Sequence, residues 1–241
     1  MSGFFNMDNV VWRTLGRLAD LMVLNLLFLL CCIPVFTIGA SLTALNYVTL
    51  KIHDGEEGYI ARSFFKSFRQ NFKQATGMWL IELLVGIVLV LDIMILRSAE
   101  GTFATVLTVI ILIVCVIYLM VFLYLFAILS RFDNTVKNTF KNSFIMAIAD
   151  FPRTLAMLAI TVAAVLISFY NITTITWALL IWILLVFALI SYCNTYFLAA
   201  VFKKYMPEDD DRDKDPDHWD LDEILAADET SKAQLETEKT E

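Results

Sequence analysis

Through the first 206 positions apolar residues come in long runs, each close to the length of a membrane crossing. The first run, Leu18–Leu50, holds 33 residues and is interrupted by Pro34 and Gly39. As one helix it would reach about 50 Å, against a hydrocarbon core of about 30 Å. Proline removes a backbone donor and clashes with the preceding turn, so Cys32-Ile-Pro-Val-Phe-Thr-Ile-Gly39 predicts a bend. Either one span ends near Phe36 with the remainder at the interface, or two short helices, 18–33 and 36–50, form a hairpin. Four later runs, 75–96, 103–130, 154–170 and 177–202, are each long enough to cross, the longer ones with tilt. The pattern predicts an all-α, polytopic transmembrane helix bundle of six membrane segments, with five spans as the alternative.

The connections alternate in length and charge. Positions 51–74 carry five Lys or Arg and 131–153 carry four, whereas the short connections 97–102 and 171–176 carry one and none. Lys203 and Lys204 follow the last run, and Arg13 and Arg17 precede the first. Basic residues are retained on the cytoplasmic side, so both termini are expected there, which favours the hairpin. Five spans would put the N-terminus outside. The N-terminal layout also imitates a cleaved signal peptide, with Gly39-Ala40-Ser41 after the apolar stretch. However, Ile38 stands where a small residue is wanted, and the stretch is long.

Each long connection has an amphipathic design. Between positions 60 and 73, Ile60, Phe64, Phe65, Phe68 and Phe72 share one helical face and Arg62, Lys66, Arg69 and Lys73 the other. This suits a cytoplasmic interfacial helix whose basic edge attracts anionic headgroups; a helix packing its phenylalanines on protein fits equally. Phe140, Phe144, Ile148 and Phe151 repeat the apolar face beside Lys137 and Lys141. Phe64-Phe-Lys-Ser67-Phe68 and Phe140-Lys-Asn-Ser143-Phe144 share F-x-x-S-F at an offset of 76, which also carries 75–96 onto 151–172. A parallel repeat and chance similarity in Phe-rich sequence both account for this.

Composition narrows the class. The chain is 59% hydrophobic and 18% charged, too apolar for a soluble surface, and disorder, collagen and nucleic-acid binding are excluded for the chain as a whole. The net charge of −7 divides into +4 for residues 1–206, the membrane domain, and −11 for residues 207–241. That acidic tail cannot bury enough apolar surface to offset ordering and is expected to be disordered and cytoplasmic. Trp219, Leu221, Ile224 and Leu225 form its one apolar knot, which suits either a docking helix or a solvated tail. Cys31, Cys32, Cys115 and Cys193 lie in apolar runs without metal-ligand spacing, so neither a disulfide framework nor a zinc site is expected.

Ionisable groups within lipid are expensive, so each is a functional candidate that needs a partner. Glu82 lies five to seven residues into its span, too deep for a short side chain to snorkel. Arg17, Arg131 or Arg153 could hold it in a structural ion pair; otherwise it is a substrate or proton site. Asp92 lies nearer the outer end, while Asp20 and Asn25 fall one to two turns into the first segment. Asn194 belongs to a polar group, Ser191 to Tyr196, late in the last span. Interhelical hydrogen bonding accounts for these residues; a polar cavity lined by Asn25, Glu82 and Asn194 is the sharper alternative. Trp12, Trp79, Trp177 and Tyr205 read as interface anchors, and Asn171-Ile-Thr173 is a sequon close to the membrane. Without a nucleophile beside a base, a phosphate loop or a metal cluster, no enzyme activity and no cofactor are expected.

Three stretches carry a resemblance. Asn25-Leu-Leu-Phe-Leu-Leu, Ile33-Pro34-Val-Phe-Thr37-Ile38-Gly39-Ala40-Ser41 and Phe64-Phe-Lys-Ser-Phe-Arg-Gln-Asn71-Phe72-Lys-Gln are similar to the YesL family, bacterial integral membrane proteins also described as domain of unknown function 624. Arg131-Phe-Asp and Phe151-Pro152-Arg153-Thr154 resemble its second signature, so the likeness covers roughly residues 4–205. Family members lack an established activity, and their genes often accompany carbohydrate ABC transporters and polysaccharide-degrading enzymes. The resemblance implies an accessory role in sugar uptake or sensing, with ABC transporter subunits as partners in the bilayer. The alternative is a solute transporter or channel in its own right that uses Glu82 at membrane depth.

Overall fold

The computed structural model describes residues 10–56, 58–98, 101–168 and 172–205. The acidic tail, the sequon Asn171 and the knot at Trp219 lie outside them. All regular structure among the described residues is helical: α1 (Val10–Cys32), α2 (Ile38–Asp54), α3 (Ile60–Arg97), α4 (Thr102–Arg131), α5 (Val136–Ala149), α6 (Phe151–Ser168), α7 (Ile172–Ile181) and α8 (Phe187–Tyr205). A 3-10 turn, Val35–Thr37, joins α1 to α2, and a π-turn, Trp182–Val186, joins α7 to α8. Among the described residues six helical stretches are long and apolar enough to cross a bilayer, the first two being Thr14–Cys32 and Val35–Asp54. The bend at Pro34 therefore separates two helical arms, as the six-segment reading expected.

Proline and threonine shape that bend together. Pro34 takes an extended backbone and α1 stops at Cys32, because the residue before a proline is pushed out of the helical region. The buried Thr37 hydroxyl lies 2.5 Å from the Cys31 carbonyl and 2.6 Å from that of Pro34, taking up groups left over at the helix end. At its far end α2 closes on Gly55, whose φ of 81° is a left-handed conformation that favours glycine, with its N–H donating to the Lys51 carbonyl.

Helix α2 is the centre of the bundle, with 56% of its span buried against 22% or less in the other five. On one side Ala44, Leu45 and Val48 meet Leu21, Leu24 and Phe28 of α1, Phe64 of α3 and Ala188 of α8. On another, Ala40 meets Ala75 and Met78 of α3 and Leu125, Phe126 and Leu129 of α4. Close approach there depends on Gly39. A Cβ at that position would stand 2.4 Å from the Ala75 carbonyl oxygen and 2.5 Å from the Trp79 Cβ. Trp79 then donates its indole N–H to the Val35 carbonyl at 2.8 Å, so the hairpin turn rests halfway along α3. Half-buried Trp79 thus braces the turn against α3.

The structure corrects the sequence reading of α3. Residues 60–73 and 75–96 are one helix of 38 residues, about 57 Å long at 1.5 Å per residue. No proline interrupts it, and its two glycines, Gly77 and Gly86, each cost only about 1 kcal/mol in a helix interior. The first half accordingly does not lie in the membrane plane as a separate element. Phe64 is fully buried and Phe68 and Phe72 are half-buried in the protein core, which leaves only Phe65 of that aromatic face exposed. Helix α5 behaves differently. It is a separate element whose small residues Thr139, Ser143 and Ala147 face inward with Phe140 packed on the core, while Phe144 and Ile148, and Phe151 at the start of α6, are about half exposed. Helix boundaries recur near the 76-residue offset: α3 begins at 60 and α5 at 136. The second copy breaks at Asp150, ahead of Pro152, where the first continues.

Candidate functional site

Glu82 stands in the seam between α3 and α4, only 4% exposed. One carboxyl oxygen, Oε2, has no hydrogen-bond partner. Tyr118 of α4 is the polar neighbour, donating its hydroxyl to the Glu82 backbone carbonyl at 3.0 Å. Gly86, one turn further on, makes room for that hydroxyl, since a Cβ there would lie 3.0 Å from it. The expected arginine partner is not found. Arg131 pairs with Asp54 at 2.7 Å, Arg153 with Asp150 at 2.5 Å, and Arg17 is exposed on α1. Arg131 and Arg153 meet carboxylates at the helix ends, which water and headgroups can screen, rather than one set in an apolar seam.

Asn25 has a different task. It is fully buried, and its amide donates to the carbonyls of Trp182 (2.9 Å) and Ile183 (2.7 Å) while its oxygen accepts the Ala188 N–H at 3.0 Å. A π-turn carries i→i+5 bonding inside an i→i+4 helix, so some backbone groups lose their regular partner. Asn25 supplies those partners from α1, and its side chain is fully occupied in doing so.

Asn194 sits at the interface of α8 with α6, where its amide reaches the Thr161 hydroxyl at 3.4 Å and its oxygen has no partner. Asp92 is half-buried near the far end of α3. The residues proposed to converge thus occupy separate interfaces: Asn25 between α1 and α8, Glu82 between α3 and α4, Asn194 between α8 and α6. They do not line one cavity. Of the basic face, Arg62, Arg69 and Lys73 are exposed and Lys66 is half-buried, so this edge of α3 is open to headgroups or water although its aromatic edge is in the core.

A buried hydroxyl ladder joins α2 to α8. Thr49 lies 3.0 Å from the Ser191 hydroxyl and accepts from Thr195 at 3.1 Å, and Ser191 donates to Asn46 at 3.2 Å. Ser191 and Thr195 were recognisable as polar residues in an apolar span, four apart and so on one helical face. Their partners Asn46 and Thr49 were not singled out, because a Thr in a span bonds its own helix as readily as a neighbour. At the other end of α8, Asp150 is held by Arg153 and, at 3.8 Å, by Lys204, and Tyr124 of α4 meets Thr154 of α6 hydroxyl to hydroxyl at 2.9 Å. Arg153 and Thr154 of the second signature therefore fasten the α5–α6 junction.

Among the described residues no three His, Cys, Asp or Glu side chains come together as a metal site. The four cysteines are free and half-buried. One cavity, of about 420 Å³, lies among α1, α6, α7 and α8 and is walled mainly by apolar side chains, Leu29, Val165 and Phe187 among them.

Residues 21–93 match the family model described as a protein of unknown function, DUF624. The matched stretch starts within α1 and ends near the end of α3, and holds Asn25, the Pro34–Gly39 turn and Glu82; the second signature lies outside it. No curated protein and no solved structure matches the chain.

Proposed function

We propose that this DUF624 membrane protein is a non-enzymatic accessory to carbohydrate (ABC-type) transport or sensing, held in the bacterial plasma membrane with both termini in the cytoplasm. The observation that carries the reading is the separation of its polar residues. Asn25, Asn194 and the Thr49–Ser191–Thr195 ladder are used to fasten helices, each at its own interface. Polar residues spent on fastening helices suit action through contacts with partners, and α3 and α4 offer extended apolar surface for helix–helix contact in the bilayer. The orientation is supported by the basic connections, whose Arg62, Arg69 and Lys73 remain exposed. Cross-linking in native membranes followed by affinity purification tests the role. Recovery of sugar-transporter subunits is expected, and repeated recovery of none contradicts it.

One observation favours a second reading, a transporter or channel in its own right: Glu82 is buried with an unpartnered oxygen. Reconstituted vesicles would then show solute flux that Glu82→Gln abolishes. Absence of flux for every sugar and ion tried removes that reading.

A further inference from the structure

The cavity beside the π-turn has a wall with almost no hydrogen-bonding capacity. Leu29 of α1, Val165 of α6 and Leu179 of α7 face it with Trp182 and Phe187. Its two side-chain donors are both engaged within the wall. The Trp182 indole N–H donates to the Ser168 hydroxyl at 2.7 Å, and that hydroxyl donates to the Ala164 carbonyl at 2.7 Å. Two backbone carbonyls of the π-turn are taken up as well, because Asn25 holds those of Trp182 and Ile183.

The π-turn shapes this space. In a regular α-helix residues five apart point about 140° away from each other, at 100° per residue. In the π-turn, with its i→i+5 bonding, Trp182 and Phe187 come into line and their rings meet edge to face at 4.7 Å. Both rings then form one wall, and the aliphatic residues of α1, α6 and α7 form the others. The volume of about 420 Å³ is at the lower end of small-molecule sites, which span roughly 300–1,000 Å³.

We infer that this cavity is a binding site for one acyl chain of a membrane phospholipid. A wall of satisfied donors and aliphatic carbon rejects a sugar, whose hydroxyls would lose their hydrogen bonds to water and gain none. It accepts a saturated chain, and α6, α7 and α8 are immersed in such chains. The volume suits a chain and not a whole lipid, so the headgroup stays outside. Asn25 serves the site from behind, by keeping backbone carbonyls from turning into it. The inference needs only that these helices sit at membrane depth and is independent of any link to transport.

Photo-cross-linking of the full-length protein in vesicles tests it, with phosphatidylglycerol that carries a diazirine near the end of one acyl chain. Adducts mapped by peptide mass spectrometry are expected on the half-buried lining residues Leu29, Trp182 and Phe187 at roughly tenfold the level on the lipid-facing Val109 and Ile113. Ala178→Phe, which fills the cavity, is expected to remove them while leaving the α4 adducts in place. Adducts spread evenly over α4 and α6–α8 overturn the inference, because annular lipid alone would give that. So do concentrated adducts that survive a folded Ala178→Phe variant. If that variant does not fold, the wild-type map decides by itself.

Discussion

The two halves of α3 are continuous in backbone and opposite in surroundings. From Phe64 to Met78 the helix supplies buried residues to both core clusters, whereas from Leu80 to Ile95 its large apolar side chains are mostly exposed, with Glu82 and Leu89 buried against α4. The partner half of α4 is equally bare, from Phe103 to Leu119. The bare half is the more hydrophobic one. In a bilayer this is understandable, because lipid tails are as apolar as leucine and apolar side chains by themselves do not draw helices together. What gathers the first half is close backbone approach at Gly39 and Ala75, and hydrogen bonds such as that from Trp79 to Val35.

That contrast is open to attack residue by residue. The largest effect is expected at Gly39→Val, where the added carbons meet the α3 backbone at Ala75 and cannot be accommodated by a rotamer change. A loss of about 3 kcal/mol follows, read as a collapse of the monodisperse peak in detergent chromatography after mild heating. An unaltered melting profile would mean that α2 and α3 are not in close contact. Next is Asn25→Leu, which strands two carbonyls and one N–H of the last helix. It should destabilise by about 2 kcal/mol, and hydrogen exchange should quicken at Ala188 rather than in α3.

Glu82→Met has the opposite sign. It replaces a carboxyl that has an unpartnered oxygen by an apolar side chain of similar length. Stability should rise by about 1 kcal/mol, as a higher melting temperature in detergent. A fall instead would reveal a partner that holds the carboxylate. The smallest change is expected at Leu84→Ala on the bare half of α3, where lipid replaces the lost contacts: within about 0.5 kcal/mol of wild type. A loss comparable with that of Gly39→Val would show the hairpin to be packed on protein.

Much of the fold was legible from run lengths and from Pro34, because a bilayer fixes the length of a crossing and proline fixes where a helix stops. The sequence misled where one residue type serves two solvents. Arg62, Lys66, Arg69 and Lys73 opposite four phenylalanines look the same whether the aromatics enter lipid or a protein core; α3 packs three of its four in the core, whereas α5 packs Phe140 there and leaves Phe144 half exposed. Interhelical hydrogen bonding by Asn25 was legible, but its partners were not, since the π-turn it serves is invisible until α1 and α8 are side by side. Glu82 was found by its depth alone. Among the described residues no arginine pairs with it, because Asp54, 77 residues away in sequence, claims Arg131 and Asp150, one turn away, claims Arg153.

The account rests on the far halves of α3 and α4 facing hydrocarbon. Spin labels at Leu84 and Ile113 of the reconstituted protein, compared with one at the buried Ala44, measure this by power saturation with oxygen and with a water-soluble nickel chelate. High oxygen and negligible chelate collision at Leu84 and Ile113 are predicted, with little of either at Ala44. Strong chelate collision at Leu84 or Ile113 would place that hairpin in water and contradict the account.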